Sequence, residues 1–278
     1  MICLTGDLHH ASLCTGNQKH ADRSEIRIAA DFTGLLEAAD VRATFFVSGK
    51  SFLEERADLE SIVESRRIEI GGHNWSCFQP QLLHRIWNKI GGSYNGPAWF
   101  QRRDARKTSD FIYECTGRRI RAWRNHQYMH GPHTERALAS VGIELCSDGV
   151  ARHGRGPVHH PAGILNFPLN VIPDHEHIYH AERTPEWVEA WVKRYDWSDD
   201  FGSDSYDIDT WVDMVLEQLQ RREAAGVISN LIIHPITMYL ADGFDGFRRI
   251  LDYLATRRTV FMSEVIDDAK RGELREAA

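Results

Sequence analysis

The sequence predicts an α/β fold in which seven or eight parallel strands close into a (β/α) barrel, as one domain over residues 1–278. Two observations carry this expectation. Short apolar, β-rich runs alternate along the whole chain with segments of helical period, and most runs are followed by a helix before the next run, which is the spacing of a parallel sheet. The number of units favours closure into a barrel. A doubly wound open sheet is the alternative, although no G-x-G-x-x-G links the first strand to its helix and no P-loop occurs.

The elements follow in order. Ile2–Leu4 is the first strand, and a helix from about Ser24 carries Ile26, Ala29, Ala30, Leu35, Leu36 and Ala39 as its apolar stripe. Ala43–Val47 is a short run, apolar but for Thr44, as expected of a strand buried on both faces. Ser51 and Glu54 fit a capping box that starts a helix ending near Arg67, and Ile68–Ile70 then runs into Gly71, Gly72 and His73. A helix over 99–115 stops at Gly117, and strand 120–123 leads to Arg124, Asn125 and His126. Helix 134–141, ended by Gly142, precedes strand 143–146, which leads to Ser147, Asp148 and Gly149. Residues 164–171 are extended; Thr184 caps a helix with Pro185 in its first turn. Helix 209–225, strand 227–233, helix 244–256 and a short strand near 260–262 complete the series.

Composition excludes several roles. Lys+Arg 33 against Asp+Glu 40 gives a net charge of −7, so the basic face of a phosphate-tracking nucleic-acid binder is not expected. No apolar run approaches the ~20 residues that span a bilayer. The N-terminus lacks a basic segment followed by an apolar one, so no secretory signal is expected. Five cysteines, an odd number with no C-x-x-C pair, read as reduced thiols of a cytoplasmic protein.

The 15 histidines are the informative excess, because imidazole is both the commonest metal ligand and the usual acid or base near neutral pH. Polar groups gather where strands end. Strand one delivers Asp7, His9 and His10; the third delivers His73; the next two deliver Arg124 with His126, and Asp148. The extended segment near 170 delivers Asp174 and His175, and the last long strand delivers His234. In a (β/α) barrel the C-terminal ends of the strands form the catalytic rim. Core packing alone does not call for so many ionisable groups at one end of a sheet.

Ala43-Thr44-Phe45-Phe46-Val47-Ser48-Gly49, Glu69-Ile70-Gly71-Gly72-His73, Arg124 and Leu231-Ile232-Ile233-His234 resemble, in that order, the motifs of the polysaccharide deacetylases of the NodB-homology type (carbohydrate esterase family 4). The resemblance covers roughly residues 1–270. It implies a distorted (β/α) barrel and hydrolysis of an N- or O-acyl group on a sugar with one bound divalent metal ion. It implies Asp7 as general base, with His9 where that family carries a second carboxylate ligand and His10 as an alternative ligand. His73 matches the first histidine of the H-x-x-x-H ligand pair, but Cys77 stands at the second. A thiolate is an acceptable zinc ligand, so His9, His73 and Cys77 form the expected zinc site; a small buried thiol is the other reading of Cys77. Arg124 matches the arginine that pairs with the base, although His126 replaces the usual proline of that motif. His234 matches the last motif and would donate the proton to the leaving amine.

The chemistry requires these groups. Amide hydrolysis needs an activated water, stabilisation of the oxyanion and a proton for the departing amine. Asp7 would take the water proton while Arg124 keeps it charged and oriented. The expected function is therefore metal-dependent removal of an acetyl or formyl group from an amino sugar or glycan precursor. A catalytically degraded barrel that binds carbohydrate and a hydrolase of a non-sugar C–N bond are the alternatives. Loop 172–180 holds Asp174, His175 and His177, expected to line the substrate pocket; a second metal site or a solvated loop are the other readings. Trp75, Trp87, Trp99, Tyr128, Trp191, Trp197 and Tyr206 are candidates for stacking on pyranose faces, whereas Trp187, Trp191 and Trp211 share helical spacing suited to packing. The expected partner is thus an N-acylated small molecule or glycan, with neither nucleic acid nor membrane.

Overall fold

The computed structural model describes residues 1–273. Eight strands form one curled sheet: β1 Ile2–Leu8, β2 Ala43–Ser48, β3 Ile68–His73, β4 Ala122–Trp123, β5 Leu145–Cys146, β6 Val158–His160, β7 Ile164–Asn166 and β8 Ser229–Ile232. Their order is β6-β7-β5-β4-β3-β2-β1-β8, all parallel except the β6–β7 pair. The result is a half-barrel, the distorted (β/α) barrel that was expected. Between its open edges the ladder gives way to asparagines. Asn230 on β8 donates its amide to the Phe167 carbonyl at 2.8 Å, and Asn170 donates to the Ile228 carbonyl at 3.0 Å.

Strand alternation decides what faces the inside. From β1, Ile2, Leu4 and Leu8 join the large core beneath the outer helices, with Phe32, Phe45 and Val47. Cys3 turns inward to a second cluster with Phe46, Leu145, Phe167 and Ile228. Continuing up that inner face, Thr5 and Asp7 are fully or almost fully buried. The period of two thus places one strand's apolar residue at the floor of the half-barrel and its carboxylate at the mouth. Gly6 lets β1 and β8 approach closely there, since a Cβ would stand 2.7 Å from the Ile233 carbonyl oxygen.

Several local expectations hold. The Ser24 hydroxyl caps helix Glu25–Ala38, Gly117 ends helix Ala98–Thr116 in the left-handed region, and Thr184 caps Pro185–Tyr195. Others are corrected. Ser51 is no N-cap: Gly49–Glu54 and Arg56–Glu64 are separate helices, and the Ser51 hydroxyl bonds that of Ser48 at 2.6 Å. The expected strand at 260–262 is instead the entry to helix Met262–Lys270. Met262, Val265 and Ile266 plug the floor cluster, so burial of an amphipathic face overrides the β-branched signal. Helices Gln81–Gly91 and Pro235–Asp242 and strand β6 were not foreseen.

Candidate active site

The strand ends open into a cavity of about 710 Å³ lined by Asp7, His9, Cys77, His126, Tyr128 and His234, among others. Two buried ion pairs organise it. Arg124, fully buried at the end of β4, donates from Nη1 to Asp7 Oδ1 at 3.1 Å. Its other donors reach Thr5 Oγ1 at 3.0 Å, Ser147 Oγ at 2.8 Å and the Ser147 carbonyl at 3.0 Å. Its guanidinium also lies 4.5 Å over the Phe46 ring. Opposite, His234 donates from Nδ1 to Asp174 Oδ1 at 2.7 Å, and its backbone N–H donates to Asp174 Oδ2 at 2.6 Å. His234 Nε2 then points at Asp7 Oδ2 from 3.9 Å. Burial alone would lower the His234 pKa, but the charges of Asp174 and Asp7 and the Asp174 hydrogen bond more than offset it, raising the pKa to about 9. Asp7 is thus an acceptor, and His234 a protonated donor, across a narrow gap.

Beside this gap the side chains of His9, His73, Cys77 and His126 converge, with one potential ligand atom from each inside a 4.8 Å group. His126 Nδ1 stands 3.2 Å from His9 Nε2 and 3.4 Å from His73 Nε2. Burial, together with the neighbouring His9, holds the pKa values of His73 and His126 well below the ordinary value, so both rings are neutral and keep a lone pair. One proton cannot satisfy both contacts at His126 Nδ1, whereas a cation between the rings would satisfy all three nitrogens. Zinc–nitrogen bonds of about 2.0–2.1 Å put tetrahedral neighbours roughly 3.4 Å apart, matching the observed separations. The residues therefore fit a divalent metal. Among the described residues no other such group gathers.

Glu25, in the first turn of its helix, fixes the donor face of His9. Its Oε1 accepts from His9 Nδ1 at 2.8 Å and from the His9 backbone at 3.0 Å, while Gln18 donates to Oε2 at 2.9 Å. With Nδ1 turned to the carboxylate, Nε2 is the nitrogen that faces the cluster, the orientation that a ligating histidine takes from such a partner. Glu25→Gln is expected to weaken metal binding about 10–100-fold, read by competition with a chelator, without unfolding the chain. His126 is set by a second network: its backbone donates to Asn74 Oδ1 at 2.8 Å, and Asn125 binds Asp148 twice, at 2.7 and 2.6 Å. Asp148 is thereby turned away from the cavity, and burial raises its pKa to about 6.

The other residues singled out from sequence divide. His175 lines the cavity, its ring 5.9 Å from that of His234. Asp174 and His177, expected to touch substrate, do not line it. Asp174 sits behind His234, and His177 ties two loops together through the Asp204 carbonyl at 2.7 Å and Asp199 at 3.1 Å. His10 turns from the cluster to Ser12 Oγ at 3.0 Å. Tyr128, Trp191 and Trp197 line the cavity, as does Trp187, whereas Trp75, Trp87, Trp99 and Tyr206 do not. Sequence reasoning missed Glu25, which reads as an ordinary acid of a first helical turn. It also passed over His126 as a ligand, although a histidine in the place of a motif proline, beside a ligand pair that has lost one histidine, was an available signal.

Residues 25–145 match the family model described as polysaccharide deacetylase, a stretch that contains both the Ala43–Gly49 and Glu69–His73 motifs. The resemblance drawn from those motifs is borne out. No curated protein matches the chain by sequence. Among solved structures, a candidate polysaccharide deacetylase from Mycobacterium smegmatis is similar at 17% identity, over 98% of this chain and 91% of that one, with a TM-score of 0.70. The PuuE allantoinase is similar at 14% identity over 100% and 91%, with a TM-score of 0.63. The peptidoglycan deacetylase PdaC of Bacillus subtilis is similar at 18% identity over 99% and 94%, with a TM-score of 0.52. At these identities the likeness is one of fold. No helix of the described residues is long and apolar enough to cross a membrane.

Proposed function

We propose, for a chain whose residues 25–145 match the polysaccharide deacetylase model and whose fold is similar to theirs, a metal-dependent deacylase that removes an acetyl or formyl group from the nitrogen of an amino sugar or glycan precursor. The observation that carries this reading is the 3.9 Å gap between Asp7 Oδ2 and His234 Nε2, each backed by its own buried partner, beside three converging imidazoles. Held by His9, His73 and His126, with Cys77 adjacent, a divalent ion such as zinc would supply Lewis-acid polarisation of the acyl oxygen and a lowered pKa for water.

The chain's own groups do the proton work. Asp7 accepts the proton of the attacking water, and Arg124 holds its Oδ1, with Oδ2 left for the reaction. His234 gives its Nε2 proton to the departing amine while Asp174 stabilises the imidazolium and aims the ring. The volume of about 710 Å³ lies within the range of small-molecule pockets, and Tyr128 and Trp197 on its wall offer flat faces for a pyranose.

The test joins metal content to acyl release. Wild-type protein, stripped and reloaded with zinc, is expected to bind one equivalent and to release acetate or formate from a panel of N-acylated amino sugars, and His73→Ala is expected to do neither. Equal acyl release from wild type and His73→Ala, or no metal uptake by wild type, overturns the reading. The acid also sets a pH limit. The raised His234 pKa means that the stability it contributes is complete below about 6.5 and is lost as pH rises through about 9. Asp174→Asn removes the larger of the two supporting charges. The alkaline limb of kcat is then expected to move to lower pH, by about one unit or more; an unmoved limb assigns the acid elsewhere.

A further inference from the structure

Arg183 is a buried cation for which the reaction described above has no use. It precedes helix Pro185–Tyr195, is only 5% exposed and lines the same cavity. Its Nη2 donates to the Glu176 carbonyl at 2.7 Å, but its Nε–H is buried without an acceptor. The guanidinium carbon lies 5.1 Å over Trp187 and 5.3 Å over Trp191, so two indole faces hold the fork. Among the described residues it has no ion-pair partner. Of the acids that line the cavity, Glu182 lies 3.3 Å from His20, and Asp199 is held by His177 at 3.1 Å and by the Phe201 N–H at 2.7 Å. Glu176 accepts from the Tyr128 hydroxyl at 3.3 Å, and its burial favours the neutral acid.

The charges of Glu176 and Glu182 act on Arg183 from a distance, but no carboxylate makes an ion pair with it and its Nε–H has no acceptor; a buried donor left so is costly unless a ligand satisfies it, and a planar fork of N–H donors suits a carboxylate or phosphate. The site is also close to the reacting groups. The rings of His234, His175 and His180 form a chain with centroid separations of 5.9 and 5.3 Å, and the Arg183 backbone donates to the His180 carbonyl at 2.8 Å. We infer that Arg183, held between Trp187 and Trp191, is an anion subsite that selects N-acylated substrates carrying a carboxylate or phosphate group. This rests on the deacylase reading for the identity of the acyl group, but the anion site itself does not.

The experiment compares N-acetylglucosamine, its 6-phosphate and the corresponding 6-carboxylate, with inorganic phosphate and malonate as probes that contain no amide. Binding is read by calorimetry and thermal shift for wild type, Arg183→Met and Arg183→Lys. Wild type is expected to bind the anionic sugars about 10- to 100-fold more tightly than the neutral one, and Arg183→Met to lose that preference. Arg183→Lys, which keeps the charge without the fork, is expected to retain part of it. A preference for the phosphate over the carboxylate, or the reverse, identifies the ligand group. Protection of wild type but not Arg183→Met by phosphate or malonate supports the subsite even if no amide is cleaved. Identical responses of wild type and Arg183→Met to every anion overturn it, even if the neutral sugar is deacylated. The ligand-free melting temperature of each variant shows that it is folded.

Discussion

Replacing Arg124 with methionine is expected to lower the free energy of unfolding by about 3–5 kcal/mol, measured by urea denaturation, and to reduce acyl release to background. The size of the effect follows from burial. Arg124 is fully buried and Asp7 almost so, so removing the guanidinium leaves a buried carboxylate without its hydrogen-bonded counter-charge and strips Thr5, Ser147 and the Ser147 carbonyl of a donor. Methionine fills much of the volume over Phe46, which confines the loss to electrostatics and hydrogen bonding. Arg124→Lys is expected to fall between, because one ammonium replaces the charge but not the fork that joins Asp7 to β5. If Arg124→Met unfolds at the wild-type urea concentration, the Asp7–Arg124 pair is not what holds this end of the half-barrel.

Replacing His126 with alanine is expected to weaken zinc binding by more than the roughly 10–100-fold that outer-sphere partners contribute, with acyl release falling in step. Stability without metal should change little. The ring is neutral, and its close polar contacts are the two other histidines at 3.2 and 3.4 Å. Cys77→Ala is expected to keep the metal, since hydrolysis requires an open coordination position and three nitrogens already converge. Burial reinforces this expectation: together with Glu25, Asp104 and Asp7, it raises the Cys77 thiol pKa well above the ordinary value. Metal retained by His126→Ala and lost by Cys77→Ala would exchange the roles of the two residues. Inductively coupled plasma spectrometry on both variants, beside His9→Ala and His73→Ala, settles the ligand set.

The sequence alone determined the parallel sheet, most of the helices that cover it and the end at which polar residues collect. These are local properties: runs such as Ala43–Val47, apolar but for Thr44, report a strand buried on both faces, and glycines such as Gly117 report where a helix must stop. It also pointed to one rim for Asp7, His9, His73, Arg124 and His234, because each lies at or just past the C-terminal end of a strand and parallel strands bring those ends together. Only the tertiary structure decided which atoms meet. Glu25 and His9 are 16 residues apart, His126 lies over 50 residues beyond His73, and Asp174 is 60 residues before His234. No periodicity links such positions; the curl of the half-barrel does, and register decides which side chains point inward. The same step separated Asp174 from the pocket loop in which its sequence neighbours place it and put it behind His234. It also turned His10 away from the cluster that its neighbour His9 enters, since consecutive residues in extended chain face opposite sides.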